Sequence, residues 1–141
     1  MLEKSQVFLG FDFGMKYIGV AIGQSVTCTA SPVTTLVARD GIPNWNEIQA
    51  LIEKWQPDGL IVGIPLKMDD SVQPVTFSAR RFVKRLQGRF GLPMHTVDER
   101  LSSWEAQKRI EEAKERKIKS ESDIHAISAM ILVEQWISEN L

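Results

Sequence analysis

Apolar residues recur along the chain in short runs that predict strands, and the first run is continuous rather than alternating. Residues 7–13 are apolar at nearly every position, which is typical of a strand buried on both faces. After a tight turn at residues 14–16, residues 17–23 predict a second strand, antiparallel to the first. Three small residues thin one face of this second strand, and that face suits the close approach of a helix. Residues 27–37 are rich in β-formers and predict a third strand, in which Pro32 requires an edge position or a bulge.

The first helical spacing of apolar residues follows a predicted loop at residues 39–44. Asn44 can cap this helix, and Glu47 can complete a capping box with it. The pattern is stopped at residues 57–59, ahead of a short apolar strand at residues 60–64. A strand that follows a helical crossover is expected to run parallel to the first strand.

The second half of the chain adds helices and one more strand. These elements are a helix over residues 75–90, a strand over residues 94–97, a helix from Ser102 or Ser103 to about residue 116, and a last helix that opens at residues 122–123. Three strands followed by helix and strand units predict an α/β fold, with a mixed five-stranded sheet and helices on both faces. We expect one domain over residues 1–141.

Composition limits the class of protein further. The 141 residues are 43% hydrophobic and 25% charged, with a formal net charge of −1, which favours a globular chain with one core. No apolar run approaches the ~20 residues of a membrane span, and no basic segment leads into an apolar one at the start. We therefore expect a cytoplasmic protein with no membrane partner. The single cysteine, Cys28, excludes an internal disulfide and a multi-cysteine zinc site, and we expect it to be small and buried.

Charge is unevenly distributed despite the near-neutral total. No acidic residue lies between Ser71 and Val97, where the Lys and Arg residues are Arg80, Arg81, Lys84, Arg85 and Arg89. These residues fall on a predicted helix and can form a face that contacts phosphates without reading base sequence. A charge run is more often a plain solvated face, and the lack of acidic partners is what favours binding here. Residues 108–119 carry six basic and three acidic residues, and they can close over a strand or form a salt-bridged helix end.

One carboxylate, Asp12, stands inside the first apolar run, between Phe11 and Phe13. An ionised carboxylate isolated in an apolar interior would protonate, pair or bind a metal. Glu99 ends the last predicted strand and Asp123 stands in the first turn of the last helix, so three carboxylates can converge at the carboxyl edge of the parallel strands. Converging carboxylates repel one another unless a cation lies among them, and oxygen ligands favour Mg²⁺ or Mn²⁺. This arrangement is typical of phosphoryl transfer.

Each acid also has a purely structural interpretation. Asp123 can stabilise its helix through the macrodipole, although its spacing from Ile127 on the packing face aims it at the sheet. Glu99 can pair with Arg100 at a solvated strand end. Asp98 is the rival of Glu99, because side chains alternate along a strand and only one of the two can face the site.

Four segments of the chain together resemble one protein family. They are FDFGMKYIGVA at residues 11–21, VGIPLKMD at residues 62–69, VDERLS at residues 97–102, and Asp123 with Ala126 and Ala129. In this order, and over nearly the whole chain, they resemble the YqgF (RuvX-type) family. The resemblance implies the ribonuclease H superfold shared with Holliday-junction resolvases. It implies a nuclease that matures the 5′ end of pre-16S ribosomal RNA, and an older proposal for the family is resolution of four-way DNA junctions. The family's acids fall on Asp12, Glu99 and Asp123.

The sequence and the resemblance together favour a metal-dependent endonuclease on structured RNA, with phosphates contacted by Lys16, Arg80 and Arg100. Pre-ribosomal RNA and ribosomal particles are the expected partners. The first alternative is the same chemistry on branched DNA, where two cuts on a symmetric junction need a homodimer rather than a monomer. The second is a non-catalytic RNA- or ribosome-binding module. An actin-like nucleotide phosphotransferase needs a second domain, for which 141 residues leave no room. His125 departs from the family pattern, in which a small or apolar residue is expected.

Overall fold

One six-stranded sheet with helices on both faces organises the described part of the chain. The computed structural model describes residues 5–65, 74–98 and 121–141. The strands are β1 (Val7–Asp12), β2 (Tyr17–Gln24), β3 (Thr29–Arg39), β4 (Ile42–Pro43), β5 (Gly59–Ile64) and β6 (Met94–Asp98). The helices are α1 (Trp45–Trp55), α2 (Pro74–Phe90) and α3 (Glu121–Asn140). The strand order across the sheet is β4-β3-β2-β1-β5-β6. The helix predicted from Ser102 or Ser103 to residue 116 lies outside the described residues.

Strand directions follow from the lengths of the connections. β1 pairs antiparallel with β2 across a short turn, and β2 pairs antiparallel with β3. β5 follows the crossover through α1 and pairs parallel with β1, and β6 pairs parallel with β5. The predicted directions are confirmed. β1 is central, so that Leu9 and Phe11 are fully buried, as the continuous apolar run predicts.

The prediction of a loop at residues 39–44 is wrong in part, because these residues form the β3–β4 hairpin. Asp40 and Gly41 have φ angles of 50° and 80°, and they reverse the chain so that Arg39 pairs with Ile42. A two-residue turn of this kind needs positive φ at both positions, and Asp-Gly is a strong signal for it. The sheet therefore has six strands rather than the predicted five.

The irregularity predicted from Pro32 is present in β3. Val20 of β2 pairs with Thr34, while the next residue, Ala21, pairs with Pro32. Val33 is left as the extra residue, so the ladder carries a bulge at the position where proline cannot donate.

Cys28 is exposed, and the expectation of burial is wrong. Its φ is 51°, and it lies in the turn between β2 and β3, where its Sγ donates to the carbonyl oxygen of Ser25 at 3.4 Å. The predicted third strand begins at residue 27, two residues too early, and so it placed Cys28 inside the sheet. Asn44 caps α1 as predicted, but its Oδ1 accepts from the nitrogen of Asn46 at 3.0 Å rather than from Glu47.

Large side chains fill the face of the sheet that α1 and α2 cover. Leu9, Phe11 and Val20 from the sheet lie in one cluster with Ile48 of α1 and Phe82 of α2. The Phe82 ring makes an edge contact with Phe11, their centroids 5.6 Å apart. This face is therefore held by apolar side chains from both layers.

The opposite face of the sheet carries small residues, and α3 packs closely against it. Ala21 and Ile61 from the sheet cluster with Val133 and Ile137 of α3. A Cβ added at Gly10 or Gly23 would collide with Val133. The prediction that a helix covers the small-residue face of β2 is confirmed. None of the helices in the described ranges is long and apolar enough to cross a membrane.

Candidate active site at the carboxyl edge of the sheet

Asp12 is the last residue of β1 and lies at the carboxyl edge of the parallel strands. It stands in register with Gly63 of β5 and Gly19 of β2. Strand alternation places its half-buried side chain on the face that carries Phe8 and Gly10, which is the face that α3 covers. The carboxylate thus leaves the apolar interior of β1 at the rim of the sheet, where a ligand can reach it.

The first turn of α3 rests directly against the strand beside Asp12. A Cβ added at Gly19 would collide with the backbone carbonyl oxygen of His125 and lie 2.9 Å from the nitrogen of Ala126. Glycine is needed here because the helix backbone approaches the strand backbone with no room for a side chain. Asp123 precedes His125 by two residues in this turn. The structure therefore brings the backbone of Asp123 to the same edge and face as Asp12.

A ring stack that sequence reasoning missed also holds this turn. Tyr17, the first residue of β2, stacks on His125 with centroids 5.2 Å apart and planes 26° apart. Tyr17 and Gly19 lie on the same face of β2, so the ring and the glycine together form the surface against which the start of α3 packs. The sequence did carry a signal for this stack: His125 departs from the family pattern, and Tyr17 is an aromatic residue on a predicted strand.

The packing of β6 shows which face of the sheet Asp98 occupies, and this bears on whether Asp98 or Glu99 belongs to the site. The rings of His95 and Trp136 of α3 are 4.4 Å apart, and Val97 packs against the cluster beneath α3. Asp98 follows these residues and alternates to the other face of the sheet. Asp98 is therefore not on the face of Asp12, while Glu99 lies outside the described residues.

Lys16 lies in the turn that links β1 to β2, next to the rim. The β3–β4 hairpin fixes the backbone of this turn, since Ala38 donates to the carbonyl oxygen of Lys16 at 2.8 Å and Gly41 donates to that of Met15 at 2.9 Å. The Lys16 side chain is exposed. A cation on a fixed turn beside the end of β1 suits contact with a phosphate.

The basic residues of α2 divide into two groups. Arg80, Arg81 and Lys84 are exposed, which agrees with the predicted cationic face. Arg89 is also exposed, but it lies over the ring of Trp45, with its guanidinium carbon 4.5 Å from the centroid. Arg89 therefore has a packing role that the sequence did not reveal.

The three predicted acids are only partly within the described structure. Glu99 and Arg100 lie outside it, as do residues 108–119. Among residues 5–65, 74–98 and 121–141, no group of three His, Cys, Asp or Glu residues could hold a metal ion. What the structure gives is the position of Asp12 and the backbone position of Asp123.

Comparisons with known proteins identify the family. The family model described as "RuvX: Holliday junction resolvase" matches residues 6–139. A Legionella pneumophila protein named "Putative pre-16S rRNA nuclease" is 50% identical over 135 residues, covering 95% of this chain and 96% of its own length. A Coxiella burnetii protein of the same name is 48% identical over 139 residues, covering 99% of this chain and 97% of its own length.

Solved structures with the same fold are much more distant in sequence. Thermus thermophilus RuvC in complex with a Holliday junction substrate aligns with a TM-score of 0.59 at 12% identity, covering 95% of this chain and 94% of that one. Fowlpox virus resolvase with Holliday junction DNA aligns with a TM-score of 0.57 at 13% identity, covering 96% and 99%. At these identities the likeness concerns the fold, and it confirms the expected ribonuclease H-like architecture. The chain therefore belongs to the RuvX family of nucleases.

Proposed function

We propose that this protein is a divalent-metal-dependent endonuclease that hydrolyses phosphodiester bonds in pre-16S ribosomal RNA, maturing its 5′ end in the cytoplasm. The catalytic and metal-binding residues in this proposal are Asp12, Glu99 and Asp123. The observation that supports it most directly is the close contact of the last helix with Gly19 of β2. Gly19 pairs with Asp12 of β1, so this contact brings the turn containing Asp123 close to the end of β1.

Strand alternation supports the choice of Glu99 as the third acid. His95 and Val97 pack toward α3, so Glu99 would fall on the same face as Asp12 if the alternation of β6 continued for one more residue. The register agrees, since Gly63 of β5 is opposite both Asp12 and Val97. Glu99 would then lie one strand beyond β5 at the same edge.

The donor chemistry fits Mg²⁺ or Mn²⁺. Three carboxylates offer hard oxygen ligands, and the half-buried position of Asp12 at the rim leaves room for further oxygen ligands from a substrate. A bound divalent ion would supply charge stabilisation to the attacking and leaving oxygens of an in-line displacement. The protein would contribute by holding the acids close together. The close backbone contact at Gly19 and the Tyr17–His125 stack fix the start of the helix that carries Asp123.

Phosphate binding is assigned to Lys16, Arg80 and Arg100. Lys16 is exposed on a fixed turn beside the end of β1, and Arg80 is exposed on α2, whose first turn is tied to the end of β5. Such contacts position a backbone without reading sequence. They suit an enzyme that recognises its RNA, free or within a ribosomal particle, by shape.

The proposed RNA substrate is supported by relatives that are 50% and 48% identical to this chain and are named "Putative pre-16S rRNA nuclease". Branched DNA is the second candidate, favoured by the description of the family model as a Holliday junction resolvase. Two symmetric cuts require two active sites, so this alternative needs a homodimer. A strictly monomeric protein at working concentration would count against it.

The test is cleavage of a precursor fragment spanning the mature 5′ end, with Mn²⁺ or Mg²⁺, by wild type and by Asp12→Asn. The substitution keeps the shape of the side chain and removes its charge, so we expect the rate to fall at least ~100-fold. Glu53→Gln is the matched control, because Glu53 is exposed on α1 at the opposite edge of the sheet. It should cleave like wild type.

Equal cleavage by wild type and Asp12→Asn would refute the assigned metal site. If neither protein cleaves RNA or a four-way DNA junction with any divalent ion, while RNA binding persists, the chain is a binding module and the proposal fails.

A further inference from the structure

The first turn of α2 carries an exposed aromatic ring at the start of a cationic stripe. Phe77 is 58% exposed, whereas Phe82 and Leu86 on the other side of the same helix are buried. Phe77, Arg80, Arg81 and Lys84 are all exposed, and helical geometry puts them within about 100° of the helix surface. We name these four residues the α2 stripe. A large apolar ring held in water among three cations points to a ligand that has both a flat apolar face and negative charge.

The α2 stripe begins at the same edge of the sheet as Asp12. The hydroxyl of Thr76 donates to the carbonyl oxygen of Pro65 at 2.6 Å, which ties the first turn of α2 to the residue after β5. Asp12 is in register with Gly63 of β5. Phe77 therefore lies near the rim that Asp12 occupies, although α2 covers the opposite face of the sheet, and the stripe runs from Phe77 away from the candidate site.

The dimensions suit a short nucleotide segment. Phe77 and Lys84 are seven residues apart, or ~10 Å along a helix. Stacked nucleotides in one strand are spaced by ~3.4 Å, so the stripe is about three nucleotides long.

We propose that the α2 stripe binds a single-stranded RNA segment that flanks the cleaved bond, with a base stacked on Phe77 and phosphates on Arg80, Arg81 and Lys84. This inference rests on the proposed nuclease function and specifies the form of its substrate. A base in a duplex has both faces covered by its neighbours, so an exposed Phe ring can stack only on an unpaired base or a strand end. The cations alone would bind duplex and single strand alike.

The charge of the stripe disfavours the other occupants of an exposed apolar residue. A second copy of the chain would place the same three cations against one another across a two-fold interface. An apolar protein surface would have to cover three charges, while the sequence supplies no acid between Ser71 and Val97 to neutralise them from within the stripe. A polyanion with exposed base faces satisfies both parts of the stripe.

The test is fluorescence anisotropy of the full chain in EDTA, with two probes. One is a labelled ten-nucleotide oligouridine, and the other is a labelled RNA hairpin whose ten-base-pair stem is closed by a polyethylene glycol linker, so that it has no unpaired loop bases. Phe77→Ala and Phe77→Leu should each weaken oligouridine binding about tenfold and leave hairpin binding unchanged, because both remove the aromatic face. Lys84→Gln should weaken both probes and lower the salt slope for oligouridine by about 0.7. Val26→Ala is the control, since Val26 is 65% exposed in the β2–β3 turn at the opposite edge.

Several results would overturn the proposal that the α2 stripe binds single-stranded RNA. These are unchanged oligouridine binding by Phe77→Ala, equal losses on both probes, wild-type binding by Phe77→Leu, or no binding of oligouridine by wild type. Preference of the wild type for an acidic peptide over oligouridine would assign the stripe to a protein partner instead. The proposed metal-dependent cleavage would not take place in EDTA, so binding reports on the stripe and the cleavage assay reports separately on the nuclease function.

Discussion

The two faces of the sheet are packed by opposite means. Under α1 and α2, large side chains of the strands meet large side chains of the helices, as in the ring contact of Phe82 with Phe11. Under α3, the strands offer glycine at positions 10, 19 and 23, and the helix fills the space with Val133 and Ile137, or with its own backbone.

The difference separates stability from the placement of the active site. On the first face, side chains set the spacing, and we expect the loss of one of them to leave a cavity while the backbone on both sides of it stays largely in place. On the second face, backbone clearance sets the spacing, and the turn that carries Asp123 rests on the strand beside Asp12. Substitutions under α1 and α2, and those under α3 away from its first turn, should therefore lower the free energy of unfolding. Substitutions where the first turn of α3 meets the sheet should lower the catalytic rate as well.

The largest change in stability is expected from Phe82→Ala. Phe82 is 1% exposed and its ring contacts those of Phe11, Phe13 and Trp45. Its truncation should lower the free energy of unfolding by about 3–5 kcal/mol, measured by denaturant titration. The cleavage rate per folded molecule should fall much less than in Gly19→Ala, because Phe82 contacts the neighbours of Asp12 through flexible packing of rings rather than through a backbone contact. A folded Phe82→Ala protein with a large loss of rate would show that this face also positions the site.

The largest change in activity is expected from Gly19→Ala. The added Cβ meets backbone atoms of His125 and Ala126, which cannot rotate away, so the helix start must shift. We expect about 100-fold slower cleavage, because small misplacements of catalytic groups cost about that much. The free energy of unfolding should fall by about 1–3 kcal/mol.

Gly23→Ala is the matched control for Gly19→Ala. It lies on the same strand and face, but its Cβ meets side-chain atoms of Val133 and Ile137. It should lose stability while keeping its cleavage rate. Equal rate losses in the two variants would mean that the whole helix, rather than its first turn, sets the site.

A smaller coupling is expected between Gly10 and Val133. The Cβ of Gly10→Ala would collide with Val133, and Val133→Ala would remove the collision. The double variant should therefore be more stable than the sum of the single changes by about 1–2 kcal/mol. Gly10→Ala with Ile48→Val, on the other face, should be additive. Additivity in both pairs would contradict the close fit of α3.

The smallest effect is expected from Gly88→Ala in α2. A Cβ there meets nothing within 4 Å, so removing a glycine from the helix should raise the free energy of unfolding by about 0.5–1 kcal/mol. Gly91→Ala should be destabilising instead, because Gly91 has φ +64°. Destabilisation by Gly88→Ala would show that the surface of α2 is not open at this position.

The sequence predicted the parts of the fold that depend on local pattern. Continuous burial of β1, the parallel direction of β5 and the thin face of β2 all follow from residue types at successive positions. The sequence did not reveal that the backbone of His125 rests on Gly19, because that contact joins elements about a hundred residues apart. The two-residue strand β4 is too short for periodicity to show, although Asp40 and Gly41 carry its turn signal.

The candidate site was predictable in outline for a physical reason. Asp12 is conspicuous because a carboxylate stands in an apolar strand, and strand ends collect at one edge. The exclusion of Asp98 from the face of Asp12 needed the packing of His95 against Trp136, which fixes the face of β6. The stack of Tyr17 on His125 could not be assigned from either residue alone.

The most direct test of the central claim is anomalous scattering from crystals of the wild-type protein soaked in Mn²⁺. We expect a manganese peak coordinated by Asp12 together with Asp123 and Glu99, and its loss from crystals of Asp12→Asn. Manganese bound only at sites that exclude Asp12, or an unchanged peak in Asp12→Asn, would contradict the proposed metal site.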